Sequence, residues 1–147
     1  MKQKIYDHFL HLINDKIKML ENVLAGLKES SANETKSSAG DKHETALAML
    51  QIEQANVNGQ LADALSKKAV IEKIDPALLS SKIVNGSLVK TDKGYLFISI
   101  ALGKATIGTI SVTALSLQSP LGKKLIGLSV GDIAAINNST YLIENIF

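Results

Sequence analysis

Asp41 and Glu44 stand three residues apart in the stretch Asn33–Thr45, NETKSSAGDKHET, with a further carboxylate at Glu34 and two lysines, Lys36 and Lys42. Two carboxylates at that spacing can contribute to a divalent-cation site. They also form a capping-box-like pair, with Asp41 as N-cap and Glu44 reaching back to its amide, and both would favour the positive end of a helix dipole. Spacing alone favours the cap. Glu34 reads as a solvated turn acid or a local partner for Lys36, and His43 is placed to bond a phosphate or a partner protein. Other chemistry is thinner. His8 and His11 share a helix face at i, i+3 but have no nearby third zinc ligand. "GKATIG" lacks the Gly-Lys-Ser/Thr ending of a phosphate loop. Ser119 has no Gly-x-Ser-x-Gly setting for a nucleophile.

The elements that must position these acids differ in period. Ile5, Phe9, Leu12, Ile17, Leu20, Leu24 and Leu27 recur mostly at three and four, the mark of one apolar helix stripe. After the polar turn, Leu47, Leu50, Gln54, Val57, Leu61, Ala64, Lys68 and Ile71 repeat that rhythm, with polar lapses at Gln54 and Lys68. Each stripe needs a partner, and the nearest is the other helix folded back antiparallel. Helices of ~25–30 residues would span roughly 40 Å, a projecting arm with little core of its own. Pro76 then forbids helix continuation and pushes Asp75 toward an extended conformation.

Beyond Pro76 the period turns toward β. "SLVKTDKGYLFISIAL" reads as a hairpin turning at Asp92-Lys93-Gly94. "ATIGTISVTAL" is rich in β-branched residues and reads as strand-like. "SPLGKKLIGLSVGD" contains a short amphipathic helix started by Ser119-Pro120 and ended near Gly127. "STYLIENIF" closes as a last strand. Strands with one short helix in this length indicate a small α+β domain.

Composition removes several function classes. The chain has 147 residues, 46% hydrophobic and 20% charged, which excludes general disorder. Its net charge is +2 and all 16 basic residues are lysine. Arginine is the usual bidentate reader of guanine and phosphate, so sequence-specific DNA reading is not expected. The absence of cysteine removes disulfides, thiolate metal sites and a cysteine nucleophile. Polar residues interrupt the N-terminal segment, and no run approaches the ~20 apolar residues of a membrane span. The expectation is a soluble cytoplasmic protein without a membrane partner.

Ser119–Asp132, SPLGKKLIGLSVGD, resembles the C-terminal signature of Gre-type (GreA/GreB-like) transcript-cleavage factors: Ser-Pro-Leu, a small residue, a short helix, a glycine, then a Gly-Asp turn. Gly122, Gly127, Gly131 and Asp132 fit it. A coiled coil, an acidic tip and a β-rich domain follow in the family's order, so the resemblance covers nearly the whole chain. At the tip, Gly40-Asp41-Lys42-His43-Glu44-Thr45-Ala46 aligns with the family's Gly-Asp, Glu and Asn-Ala pattern, and its two acids match Asp41 and Glu44. Lys42, His43 and Thr45 depart from it, and Leu47 stands where the family often has another acid.

The resemblance implies an α+β protein with two parts. Residues 1–75 would form the antiparallel coiled-coil arm with its tip at 32–45, and residues 76–147 an FKBP-like antiparallel β domain with one short helix, docking on RNA polymerase. The arm would enter the polymerase secondary channel. There Asp41 and Glu44 would help hold a catalytic Mg2+ shared with the polymerase and stimulate cleavage of backtracked nascent RNA at its 3′ end. The factor is then an accessory and not itself an enzyme, with Mg2+ expected only in the complex. Docking would involve Ser119, Pro120, Leu121, Lys123 and Lys124, with Ile126 helping to shape the surface; Leu121 and Ile126 are also readable as core, and Lys123 and Lys124 equally as solvated. A monomer is expected. Two other readings stay open: a non-cleaving regulator that occupies the same channel, favoured by Lys36 and Lys42 beside the acids, and a coiled coil that never meets polymerase.

Overall fold

In a computed structural model the backbone is described for residues 1–35 and 40–147, and the side chains for all residues outside 34–43. The protein is α+β: two long N-terminal helices, then a six-stranded sheet with one short helix. It divides into two compact units, Ile13–Ser66 and the combination of Met1–Leu12 with Lys67–Phe147.

Helix α1 spans Lys2–Thr35 and α2 spans Gly40–Glu72. Both are longer than the sequence stripes alone required. Within the Ile13–Ser66 unit the two helices run antiparallel, burying Ile13, Ile17, Leu20 and Leu24 from α1 and Val57 and Ala64 from α2. The α2 stripe holds at all eight predicted positions, each buried or half-buried. The α1 stripe holds at six of its seven predicted positions and differs by one residue at the other: Ile13 is fully buried whereas Leu12 is 38% exposed. Steps of four from Ile5 through Phe9 and Ile13 to Ile17 follow the buried side, which leaves Leu12 on its flank. The lapse at Gln54 is a hydrogen-bonded position, its Nε2 donating to the Leu27 carbonyl (3.3 Å) and to Ser31 Oγ (2.6 Å). The lapse at Lys68 is half-buried, its ammonium 3.7 Å from Glu72 one turn on.

In the other unit the strands are β1 (Leu88–Thr91), β2 (Gly94–Ser99), β3 (Gly103–Ile107), β4 (Ile110–Ser116), β5 (Ile133–Ile136) and β6 (Ser139–Ile146), with α3 (Pro120–Leu125) between β4 and β5. Their order across the sheet is β3-β4-β2-β1-β6-β5. All pairs are antiparallel except β2 with β4, which is parallel, so the expected antiparallel sheet carries one exception. The β1–β2 hairpin turns at the predicted residues, where Thr91 Oγ1 donates to the Gly94 carbonyl (2.7 Å) and accepts from Lys93 N (3.1 Å).

"ATIGTISVTAL" is strand, as read, but is divided between the two arms of a hairpin, β3 and β4. Gly108 adopts φ +63°, a left-handed conformation glycine takes without steric cost, and the chain reverses between Ile107 and Ile110. Strand β5 was not separated from the sequence either. It pairs with β6 across Asn137-Asn138, and Asn137 takes φ 52°.

The sheet alternates faces. Val89, Leu96, Ile98, Leu115 and Ile143 pack with Ile83, Ala134 and Leu125 of α3 in one buried cluster. On the other face, Phe97 pairs with Leu88 and Ala114, and the Phe9 ring stacks on Phe97 at 6.0 Å. Ile5, Ile71 and Ile83 of this unit are fully buried. α2 ends ahead of Pro76 with two tightened turns, Lys73 N to Val70 O and Ile74 N to Ile71 O.

Candidate functional site

The tip acids lie at the start of α2. The helix begins at Gly40, one residue ahead of the expected cap, so Asp41 is its second residue and Glu44 lies one turn into it. With Asp41 as cap the first helical residue would be Lys42, so the observed start is two residues early, within the ordinary scatter of helix ends. The side chains of Glu34, Lys36, Asp41, Lys42 and His43 lie outside the described residues. Glu44 is exposed, as is Thr45, while Leu47 is half-buried.

Packing thins toward this end. Past Leu24 on α1, and ahead of Val57 on α2, no described side chain is buried. The half-buried residues there are Leu27 and Ser31 on α1 and Ala46, Leu47, Leu50 and Gln54 on α2, and the Gln54 hydrogen bonds cross between the helices. Among the described residues no group of three or more His, Cys, Asp or Glu could hold a metal ion. His8 lies edge-on to the Phe9 ring, with centroids 5.4 Å apart at 89°, and His11 is exposed.

The Ser119–Asp132 segment is built quite differently. Ser119 is the N-cap of α3: its Oγ accepts from Gly122 N (3.0 Å) and donates to the Ser116 carbonyl (2.7 Å). Pro120 takes the first helical position, where a missing N–H costs nothing. Gly122 is dictated by space, because a Cβ there would lie 2.1 Å from the Ser116 carbonyl oxygen and 3.1 Å from Leu117 Cα. Leu125 is fully buried, and Leu121 packs half-buried against the same core. Beyond the helix, Gly127 N donates to Ile83 O (2.9 Å) and Ile83 N to Leu128 O (2.9 Å), tying the segment to the start of the domain.

The Gly-Asp turn is equally engaged. Asp132 Oδ2 accepts from Ser129 N (2.8 Å), and its carbonyl accepts from Ile143 N (2.9 Å). Among the residues named for docking, Ser119 and Leu121 therefore have work inside the fold. Pro120, Lys123 and Lys124 are exposed, and Ile126 is 42% exposed.

The sequence signal underrated two residues. Gly122 was matched as a motif glycine without its packing reason. Gln54 was visible as a polar residue at a core position, but nothing in the sequence named the acceptors across from it.

No family model and no curated protein sequence matches the chain. Among solved structures it is similar to GreA factor homolog 1 of Thermus thermophilus, at 16% identity and a TM-score of 0.37 over 94% of each chain. It is also similar to a structure of the transcription factor Gfh1, at 18% identity and a TM-score of 0.39, covering 93% of this chain and 92% of that one. These likenesses run the length of both chains but are loose in superposition. No helix among the described residues is long and apolar enough to cross a membrane.

Proposed function

We propose that this protein binds bacterial RNA polymerase through the α3 side of its sheet unit and carries the acids of its helix turn into the polymerase secondary channel. There they stimulate cleavage of backtracked RNA. The observation that carries this reading is the exposure of Glu44 at the thinly packed end of the helix pair, in a chain whose SPLGKK segment forms the capped helix that the Gre-type resemblance implies. Burial cannot explain an acid there, and a helix-dipole benefit on an exposed first turn is small, about 0.3–1 kcal/mol.

Mg2+ suits such an end. The ion commonly takes one or two protein carboxylates and fills its octahedron with waters and phosphate oxygens. Asp41 and Glu44 would supply carboxylates, while the polymerase's own acids and the RNA phosphate would supply the rest. When bound, the ion would lower the pKa of a coordinated water and stabilise in-line displacement at phosphorus. This chain's part is to carry two acids to the reacting end of the RNA. Pro120, Lys123 and Lys124 of α3, and Ile126 just beyond it, are the exposed residues available for docking.

A benzophenone amino acid at position 44 tests the placement. In assembled, backtracked elongation complexes the reading expects crosslinks to the RNA 3′ end or to polymerase segments around the catalytic centre. Crosslinks confined to the outer surface of the polymerase, or no complex at all, would overturn it. A second reading has its own observation: Leu47, at a position where the family often has an acid, is half-buried, and Lys36 and Lys42 flank the tip acids. A factor that occupies the channel without cleaving would give the same crosslinks and no shortened RNA.

A further inference from the structure

We infer that Gln54 is a positioning residue: its carboxamide fixes the register of the helix pair near the turn and so sets where Glu44 is presented. In its functional consequence this rests on the reading above; in its structural content it does not.

The helix pair holds itself in two ways. Away from the turn, six apolar side chains, Ile13, Ile17, Leu20, Leu24, Val57 and Ala64, are buried. Toward the turn, burial stops among the described residues, and small half-buried contacts have little power to choose one register over another. Gln54 occupies an inward position at this transition, between Leu50 and Val57 on the same stripe. Its Nε2 reaches the Leu27 carbonyl at 3.3 Å and Ser31 Oγ at 2.6 Å, acceptors one helical turn apart on α1. A helix carbonyl has a second lone pair to accept such a bond without losing its own helical partner.

A slip of α2 by one turn away from this pairing would bring Gln54 against Leu24, a buried apolar side chain. Its amide donors would then lose both acceptors in apolar surroundings, which carries the full desolvation cost of the group. A single polar residue at an inward coiled-coil position is a well-attested way of specifying register at some expense of stability. Glu44 lies ten residues from Gln54 on the same helix, roughly 15 Å along the axis. A register error at Gln54 is therefore carried to the acid.

The test uses the whole chain, which contains no cysteine, so Lys28→Cys and Ala48→Cys provide the only two spin-label sites, both exposed on opposite helices. With Gln54 in place, a single narrow inter-label distance is expected. Gln54→Leu should keep or raise the thermal midpoint, because it adds apolar burial, while broadening or splitting the distance. Ser31→Ala should broaden it less.

In backtracked complexes Gln54→Leu should lower stimulated cleavage by about tenfold or more, since small misplacements of reacting groups are costly, with polymerase binding unchanged. An unchanged narrow distance in Gln54→Leu would overturn the inference, as would a fall in midpoint that tracks the loss of cleavage. A broadened distance in a protein whose parent never stimulates cleavage would instead overturn the proposed function and leave the positioning role standing.

Discussion

The α3 segment and the start of α2 carry the two halves of one family resemblance, yet they are opposite kinds of structure. In the α3 segment nearly every motif residue has a duty inside the fold. Ser119 caps, Gly122 makes room for the Ser116 carbonyl, Leu125 fills the core and Asp132 closes a turn. At the start of α2, Glu44 is exposed, and toward Val57 the helices meet through half-buried residues and the Gln54 clasp ten residues away. Motif residues that hold a fold are expected wherever that fold is used. An exposed carboxylate is accessible to a partner.

Substitution can break or sharpen that contrast, and the largest effect belongs to Gly122. Gly122→Ala drives a methyl group into the Ser116 carbonyl oxygen, which cannot move without disturbing β4 and the α3 cap. A loss of about 3 kcal/mol is expected from overpacking of this kind, measurable by urea denaturation. A loss below about 0.5 kcal/mol, the range of an indifferent surface site, would mean that the segment is not over-determined. Ser119→Ala should cost less, about 1 kcal/mol for a lost N-cap. Its readout is the denaturation midpoint, with polymerase binding following only as far as stability does. A selective loss of binding at unchanged stability would make Ser119 a contact residue and blur the contrast.

Much of this was legible from the sequence, for reasons particular to each element. The α2 stripe was readable position by position because its apolar residues keep a strict three-four spacing and its two lapses fall on that same spacing. The α1 stripe was misplaced by one residue where Leu12 and Ile13 are adjacent and equally apolar, so hydrophobicity could not choose between them. The α3 helix was readable because Ser-Pro at its start and glycine past its end are chemical punctuation. The β3–β4 hairpin was hidden because Gly108-Thr109 lies inside a run of β-branched residues, where one glycine is equally consistent with a bulge. The parallel β2–β4 pair follows from which strand the β3–β4 hairpin lays beside β2, and that is a tertiary choice no local pattern records.

The candidate site divides the same way. Asp41 and Glu44 were found by type and spacing, but spacing alone favoured a helix cap, and only the resemblance turned them toward a metal. The structure adds that α2 starts ahead of Asp41 and that Glu44 is exposed. It also adds Gln54, whose meaning depends on Leu27 and Ser31, residues more than twenty positions earlier that become its neighbours only when the helices pair.

The measurement that bears most directly on this account is RNA cleavage in stalled, backtracked transcription complexes with Mg2+, comparing wild type, Asp41→Ala/Glu44→Ala and no factor. The account predicts faster appearance of short 3′ RNA fragments with wild type. It predicts none of that acceleration with the double variant, whose thermal midpoint falls by no more than a few degrees and whose polymerase binding stays that of the wild type. Equal acceleration by the double variant would contradict it, as would a fall in the variant's thermal midpoint large enough to return both acids to the work of holding the helix.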